Sequence, residues 1–333
     1  MDYLDYFIVF AGAFILSMGF VPLAAYFARK YGIMDKPDNE LKKHGKAIPY
    51  LGGAAIFLAF FITLVINQLV EHHSLRGLVG LIMAGSLIFV LGVVDDIKKL
   101  SVPLKFSVQI LAAVTLIIFG IKVQFLENEL LNAVLTIIWV VGVTNAFNLL
   151  DIMDGLSSGI AVIAALTFFV LGVDAGKLFS PLASLALAGS CVGFLYYNFP
   201  PAKIFMGDAG SLFIGFMLAA FSLTESYTNV NNLAVLTPVI ILGVPIFDTL
   251  FVMLMRAKQG KPVYFGSPDH FPLRLKRSGM SGRRVLTIVY SVGFILAIVA
   301  YVSTKLPVFH AGILYTLVFA FAIFAGVKLS RMK

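Results

Sequence analysis

The chain contains few charged residues, and this scarcity sets its class. Only 13% of its 333 residues are Asp, Glu, Lys or Arg, whereas 60% are hydrophobic. The mean hydropathy is +0.97, and such a composition leaves too little polar surface to cover a soluble globule. The composition excludes a soluble protein and predicts a polytopic membrane protein.

Cysteine and N-terminal positive charge are also scarce. The single cysteine, Cys191, lies in an apolar run and excludes an intramolecular disulfide. The first five residues include Asp2 and Asp5 but no lysine or arginine, whereas a signal peptide begins with a basic segment. We therefore expect the first apolar run to remain as a membrane helix.

Apolar runs that could cross a bilayer recur along the whole chain. A helix needs about 20 residues to span the hydrocarbon core. The sequence predicts an all-α fold with about 11 transmembrane helices in one domain, residues 1–333. The predicted helices begin near Leu4, Tyr50, Gly77, Pro103, Leu130, Ser157, Pro181, Gly210, Leu233, Val285 and Phe309.

Basic residues are distributed unevenly between the two sides of the predicted membrane. All but four of the 25 Lys and Arg residues fall on one side, and the four exceptions are Arg76, Lys122, Lys177 and Lys305. The positive-inside rule makes the rich side cytoplasmic, with the N-terminus outside and the C-terminus inside. We therefore predict a multi-pass protein of the bacterial cytoplasmic membrane. The net charge of +8 reflects this topology and suits an anionic substrate, and it does not imply nucleic acid.

Residues 145–156 place four polar side chains at the end of an apolar helix. Asn145, Asn148, Asp151 and Asp154 recur at every third position, which would spread them over about half of a helix circumference. A charge inside the membrane costs roughly 2.5–3.5 kcal/mol and is a functional candidate by default. We interpret the segment as one wall of a cleft.

Two other acidic segments are predicted at the same membrane face. Asp95 and Asp96 end the third helix, where they repel each other and face the negative end of the helix dipole. Either Lys98 and Lys99 or a bound divalent cation could compensate them. Asp208 precedes an apolar helix, a position where aspartate often acts as an N-cap.

The five carboxylates of these segments form a one-sided, oxygen-rich cluster in a chain with only 17 acidic residues. Such a cluster suits Mg²⁺, which takes a few protein oxygens and shares the remainder with waters and substrate phosphates. Mn²⁺ could substitute. The five are Asp95, Asp96, Asp151, Asp154 and Asp208.

Two predicted cytoplasmic segments supply positive charge. Residues 35–53 combine a basic cluster with Gly52 and Gly53, a pair that permits close approach to a neighbouring backbone or a phosphate. Contact with anionic lipid headgroups explains the basic cluster equally well.

The loop 256–284 is the longest polar segment and places His270 near Arg274. We expect it to recognise substrate, because cationic donors facing an acidic metal site are what phosphoryl transfer requires. Asp248, inside the preceding helix, either pairs with another helix or lines the cavity.

These motifs together resemble those of the polyprenyl-phosphate N-acetylhexosamine-1-phosphate transferases, in the same order over nearly the full chain. The resemblance implies transfer of a sugar 1-phosphate from a UDP-N-acetylhexosamine to a polyprenyl phosphate such as undecaprenyl phosphate, with release of UMP at the cytoplasmic face. It rests on Asp95–Asp96, Asn145–Leu156, Phe205–Ser211 and Asp35–Gly53.

By matching positions, the resemblance implies that Asp208 and Asn148 hold Mg²⁺. It implies that Asp95 and Asp96 act near the lipid phosphate.

For the donor, the resemblance implies that Asn145, Asp151 and Asp154 shape the nucleotide pocket, the two aspartates being candidate catalytic residues as well. Lys43 and Lys46 would meet phosphate.

The chain departs from the family pattern in two places. Ile152 stands where the family usually has the first glycine of Asp-Gly-x-Asp-Gly, so we expect a more helical turn there. The last loop keeps His270 as a catalytic candidate but has Pro272 and Leu273 in place of the other histidines of His-x-His-His, so Arg274 becomes the expected phosphate contact. The missing histidines favour a GlcNAc-1-phosphate transferase over the phospho-MurNAc-pentapeptide transferases.

A transporter for a charged lipid or a sugar nucleotide is the alternative from another functional class. Transporters usually bind near the midplane between repeated halves, and the sequence shows no internal repeat and no midplane cluster beyond Asp248. A homodimer is compatible with the sequence.

Overall fold

The computed structural model describes residues 3–35, 47–71, 75–224, 227–228, 230–262 and 267–332. Within these residues the chain forms thirteen α-helices, one 3-10 helix and a two-stranded antiparallel hairpin. The predicted all-α membrane fold is confirmed.

The helices follow one another along the chain, and the longest connections join α1 to α2 and α10 to α11. Their bounds are α1 Tyr3–Tyr31, α2 Gly52–Glu71, α3 Leu75–Ile97, α4 Val102–Ile118, α5 Glu129–Leu150, α6 Leu156–Asp174, α7 Phe179–Asn198, α8 Gly207–Ser222, the 3-10 helix Asn232–Leu236, α9 Thr237–Ile241, α10 Gly243–Lys258, α11 Phe271–Arg277, α12 Gly282–Ser303 and α13 Val308–Ser330.

Ten of the eleven predicted runs each form one helix, and the run that begins near Leu233 is broken into the 3-10 helix, α9 and α10. The helices differ in length. Eight of the described helices are long and apolar enough to cross a membrane, and the 3-10 helix and α9 with α10 could add a ninth span that is bent by 74°. Helices α4 and α8 have 17 and 16 residues and fall short of a full span. Helix α8 can be short because the protein, not lipid, surrounds it.

Helix α8 lies at the centre of the bundle, and all of its residues except Asp208 are buried. Two glycines allow neighbouring helices to reach its first turn. A side chain at Gly53 on α2 would overlap the backbone of Gly210, and one at Gly92 on α3 would overlap the backbone of Ala209. Gly53 of the Gly52–Gly53 pair thus lets the backbones of α2 and α8 approach closely, which is one of the two uses predicted for this pair.

The hairpin pairs β1, Met34–Asp35, with β2, Ile48–Pro49. Just after it, the amides of Gly52 and Gly53 donate to the carbonyls of Phe205 and Met206, both at 2.9 Å. The chain on either side of the basic segment is therefore anchored beside the approach to Asp208. The predicted phosphate-binding residues Lys43 and Lys46 lie outside the described residues.

Candidate active site

The first turn of α8 is capped by a side chain from α3. Asp96 accepts hydrogen bonds from the backbone amides of Asp208, at 2.8 Å, and Ala209, at 3.1 Å, one on each carboxylate oxygen. An anion at this position also meets the positive end of the helix dipole. Asp208 lies inside the first turn of the helix, so the alternative in which it acts as the N-cap does not hold. Its carboxylate is not used to cap this helix.

Asp95 has other partners at the same end of α3. It forms an ion pair with Lys105 of α4 and accepts a 2.8 Å hydrogen bond from the amide of Leu100. The Lys105 ammonium also lies 3.6 Å from the Asp208 carboxylate. Lys105 is therefore the cation that compensates the acid pair, in the place expected for Lys98 and Lys99. Its one sequence signal is a lone lysine in the first turn of an otherwise apolar helix.

Asp208 joins the cluster to α5. The side-chain amide of Asn148 donates to Asp208 at 2.9 Å and to the hydroxyl of Ser211 at 3.0 Å. The Asp208 side chain remains 37% exposed. The structure thus brings together Asp95, Asp96, Asn148 and Asp208 as the motifs predict, with Lys105 added, and it leaves one carboxylate edge open.

Asn145 lies one turn deeper and is bound to a neighbouring helix. Its amide nitrogen donates to Gln109 of α4 at 2.6 Å and to the carbonyl of Val141 at 2.8 Å, and Gln109 donates back at 3.3 Å. Gln109 is buried, so this amide pair stabilises the contact between α4 and α5. The predicted role of Asn145 in a nucleotide pocket stays a prediction.

Helix α5 ends at Leu150, before the two aspartates of the motif. Residues 151–155 form a non-helical turn that ends at Gly155 with φ of 75°, a left-handed conformation that favours glycine. The expectation that Ile152 makes the turn more helical is wrong, and only Asn145 and Asn148 share a helical wall. Tertiary contacts of the turn with other segments override the local preference.

Asp154 and Asp151 have different surroundings in this turn. Asp154 accepts a 3.0 Å hydrogen bond from the amide of Ala202. Asp151 has no hydrogen bond or ion pair from its carboxylate within the described residues, and its acidic neighbours are Asp208, Asp96 and Asp154. Burial, followed by these negative charges, raises the pKa of Asp151 to about 8. Asp151 is therefore an uncompensated acid at the edge of the cluster.

The donor set fits a magnesium ion that is shared with a substrate. Within the described residues no group of three His, Cys, Asp or Glu side chains forms a ready metal site. Mg²⁺ commonly takes one or two carboxylates and completes its shell with waters and substrate phosphates. The open Asp208 carboxylate, the Asn148 amide and Asp151 match that pattern. Asn148 turns its nitrogen towards Asp208, and its oxygen would face an ion only after the amide rotates.

Tyr50 extends the site on the side of the hairpin. Burial raises the pKa of its hydroxyl, and so do the charge of Asp35, a hydrogen bond to Asp35 and the charges of Asp96 and Asp208. Tyr50 is thus a neutral donor beside the carboxylates. Sequence reasoning missed it, because a tyrosine at the start of an apolar helix carries no distinctive signal.

The long loop is anchored through His270. Its Nδ1 lies 2.6 Å from the Asp248 carboxylate, whose other oxygen accepts a 3.0 Å hydrogen bond from the amide of Phe271. His270 and Asp248 are both buried. Asp248 therefore takes the first of its two predicted roles, a paired carboxylate. No contact joins His270 to the carboxylate cluster within the parts of the chain that the structure describes.

Arg274 is also bound within the protein. Its guanidinium donates to the Asp269 carboxylate at 2.6 Å and to the carbonyls of Met332, at 2.7 Å, and Leu329, at 3.3 Å. It lies over the ring of Phe251 and is buried. In this arrangement Arg274 holds the end of α13 against the loop. The predicted phosphate contact of Arg274 stays a prediction.

A curated relative matches most of the chain. The probable undecaprenyl-phosphate N-acetylglucosaminyl 1-phosphate transferase of Bacillus subtilis (strain 168) is 37% identical over 87% of this chain and 84% of its own length. The model of glycosyl transferase family 4 matches residues 78–226, which carry the carboxylate cluster. This chain belongs to glycosyl transferase family 4.

Other curated relatives are similar to this chain over most of their length. The decaprenyl-phosphate N-acetylglucosaminephosphotransferase of Mycobacterium leprae is 33% identical over 76% of this chain and 72% of the relative. A phospho-N-acetylmuramoyl-pentapeptide-transferase of Clostridium botulinum is 30% identical over 88% and 94%. The resemblance inferred from the motifs is confirmed, and this family 4 protein is a membrane-embedded phosphotransferase.

For this family 4 transferase we expect Arg274→Lys to lower stability and to leave the KM for its phosphate-bearing substrates unchanged. Lysine cannot reproduce the planar set of donors to Asp269 and the α13 carbonyls, and hydrogen bonds involving a charged group contribute about 1.5–3 kcal/mol. Thermal unfolding in detergent and steady-state kinetics measure both. Arg277→Lys is the control, because Arg277 is exposed and donates to one carbonyl, that of Pro268. A raised KM at an unchanged unfolding temperature would show a phosphate contact instead.

The raised pKa of Asp151 predicts a pH dependence of stability. The folded protein retains this proton up to about pH 8, whereas the unfolded chain loses it near pH 4. In the absence of divalent ions, stability contributed by this group is therefore full below about pH 4 and is lost as the pH rises to about 8. Asp151→Asn should flatten this slope in thermal unfolding with EDTA, and Mg²⁺ should flatten it in the wild type. Equal slopes for both proteins would contradict the prediction.

Proposed function

We propose that this chain transfers N-acetylglucosamine 1-phosphate from UDP-GlcNAc to undecaprenyl phosphate and releases UMP. An oxygen of the lipid phosphate forms a bond to the sugar-bearing phosphorus. The bond from that phosphorus to the bridging oxygen breaks, and UMP leaves with the bridging oxygen. The observation that carries this proposal is the open Asp208 carboxylate, which lies beside Asn148, Lys105 and the unpaired Asp151 at one end of the bundle. The names of the relatives support the donor and the acceptor.

The attacking lipid phosphate needs little help from a base. A phosphate monoester has a second pKa of about 6 and is mostly dianionic at neutral pH. Both oxygens of Asp96 accept backbone hydrogen bonds, and those of Asp95 are occupied by Lys105 and Leu100. In our proposal these two acids orient Asp208 and Lys105, and the Lys105 ammonium attracts the incoming phosphate. They remove no proton and form no covalent intermediate.

Asp208 and Asn148, with Asp151 beside them, would hold Mg²⁺, or Mn²⁺ in its place. When bound, such an ion neutralises the diphosphate of the donor and stabilises the UMP leaving group. Asp154 keeps the turn that carries Asp151 against the chain leading to Asp208.

The distribution of basic residues supports an active site at the cytoplasmic face of the bacterial cytoplasmic membrane, as the positive-inside rule predicts. There both substrates of a reaction that initiates cell-envelope glycan synthesis, such as teichoic acid or lipopolysaccharide synthesis, would be accessible. A homodimer stays a prediction.

The experiment is UMP release by purified protein in detergent with UDP-GlcNAc, undecaprenyl phosphate and Mg²⁺. We expect UMP only when all three are present, and EDTA should abolish it. UMP release without the lipid, or a trapped phospho-sugar enzyme, would indicate a double displacement. Absence of turnover without vesicles would favour the transporter. UDP-MurNAc-pentapeptide in place of UDP-GlcNAc tests the peptidoglycan alternative, and we expect no turnover with it.

A further inference from the structure

The turn at residues 151–155 is held at its last residue by two other helices. The carbonyl of Gly155 accepts a 2.5 Å hydrogen bond from the hydroxyl of Tyr290 on α12. The amide of the same residue donates to the side-chain oxygen of Asn198, the last residue of α7, at 2.9 Å. Both backbone groups of Gly155 are therefore used to fix the turn that carries Asp151.

Asn198 also reaches the second acidic segment. Its side-chain nitrogen donates to the carbonyl of Ile204 at 2.9 Å, in the stretch that leads to Gly207 and Asp208. Asn198 is buried, so its hydrogen bonds to Gly155 and Ile204 are shielded from water and geometrically demanding. One side chain thus links the turn of Asp151 to the approach to Asp208.

The ring of Tyr290 fits against a glycine surface on α6. A side chain at Gly159 would overlap this ring, and a side chain at Gly155 would come within 3.3 Å of its hydroxyl. Helix α12 touches the other segment too, because Arg283 in its first turn donates to the carbonyl of Pro200 at 3.2 Å. Helix α12 therefore braces both acid-bearing segments from outside the cluster.

We infer that Tyr290 and Asn198 are positioning residues that set the distance between Asp151 and Asp208, and through it the affinity of the site for a divalent cation. Neither residue has a contact with the carboxylates themselves among the described residues. Groups that orient metal-binding side chains typically change metal affinity or activity by about 10–100-fold when they are removed. This inference rests on the proposed function, because it takes the cluster to be the site of cation and donor binding.

The test compares two tyrosine hydroxyls on the same helix. Tyr290→Phe removes the bond to Gly155, and Tyr301→Phe removes a hydroxyl that bonds Asp174 at the opposite end of α6. We expect Tyr290→Phe to raise the Mg²⁺ concentration for half-maximal UMP release about tenfold, with the KM for undecaprenyl phosphate unchanged. The thermal stabilisation that Mg²⁺ confers should weaken in the same variant. Tyr301→Phe should behave as the wild type in both measurements.

Gly159→Ala is the second variant, because its methyl group displaces the Tyr290 ring while the hydroxyl remains. Gly142→Ala is its control, since nothing lies within 4 Å of a side chain there. Gly159→Ala should show the same change in Mg²⁺ dependence as Tyr290→Phe. A lower unfolding temperature with unchanged Mg²⁺ dependence in both variants would overturn the inference and leave only a packing role.

If the wild type releases no UMP, the proposed function fails, and the inference is then decided by thermal unfolding with Mg²⁺ alone. A smaller Mg²⁺-induced shift in Tyr290→Phe than in the wild type supports positioning of a cation site. Equal shifts overturn it.

Discussion

Asp208→Asn is expected to lower the turnover of UMP release by about a thousandfold, which corresponds to about 4 kcal/mol in the barrier. The Asp208 carboxylate is the partly exposed acid of the cluster, and in the proposed function it holds the cation that stabilises charge developing on the leaving phosphate. The fold should survive, because the backbone amide of residue 208 keeps its bond to Asp96 and the amide side chain keeps an acceptor for Asn148. Steady-state kinetics and thermal unfolding in detergent measure both quantities.

Asp174→Asn is the matched control, since Asp174 is an acid paired with a lysine, Lys305, at the far end of α6. It should retain wild-type turnover. A second check uses the stabilisation by Mg²⁺ in thermal unfolding, which Asp208→Asn should lose and Asp174→Asn should keep. Turnover above a tenth of the wild-type value in Asp208→Asn would remove this residue from the cation site.

Replacing Asp96 should lower the stability of the protein, and we expect any loss of turnover to follow from this loss of stability. Asp96→Ala removes two charge-assisted acceptors from the buried first turn of α8, and we expect a loss of about 2 kcal/mol or more in the free energy of unfolding. Asp96→Asn keeps one acceptor and should lie between the wild type and Asp96→Ala. Thermal unfolding of the wild type and the two variants gives the order of their stabilities. Turnover should fall in the same order, because Asp208 lies in the helix turn that Asp96 caps.

The comparison separates this capping role from the role near the lipid phosphate that the motif resemblance implies. Asp174→Asn serves as the control here too, because Asp174 pairs with Lys305 at the far end of α6, away from the carboxylate cluster. If Asp96→Ala unfolded at the wild-type temperature yet lost its activity, Asp96 would contact substrate and the cap would contribute little.

The long loop shows how this chain accommodates the loss of two histidines. Pro272 stands at the start of α11, where a missing backbone amide costs nothing. The remaining histidine, His270, is tied to Asp248 just before that helix. This clamp and the contacts of Arg274 attach the loop to α10 and α13. The catalytic role predicted for His270 stays a prediction, and Asp248→Asn with UMP release would test it.

The motifs predicted which residues lie in the site better than they predicted the hydrogen bonds and ion pairs between those residues. The sequence placed Asp95, Asp96, Asn148 and Asp208 at one membrane face, and the structure brings them together. Lys105 was counted only as a basic residue of that face.

What the sequence alone determined about this protein is its class, its family and the run of its helices. Long apolar segments and the spacing of acidic motifs are local properties of the chain, so they are visible without coordinates. The motif that contains Gly155 and the acidic residues of the turn can likewise be recognised in the sequence.

Only the tertiary structure decided which group each acid binds. Asp96 caps helix α8 by accepting from the amide of Asp208, 112 positions later in the chain, and α5 ends before Asp151 because other segments hold the turn that follows. Such pairings depend on how helices pack against one another. The sequence could not predict them, because basic residues such as Lys98 and Lys99 lie nearer to the acid pair in the chain than Lys105 does. A close crossing at two glycines, Gly53 and Gly92, brought the distant partners within hydrogen-bonding distance.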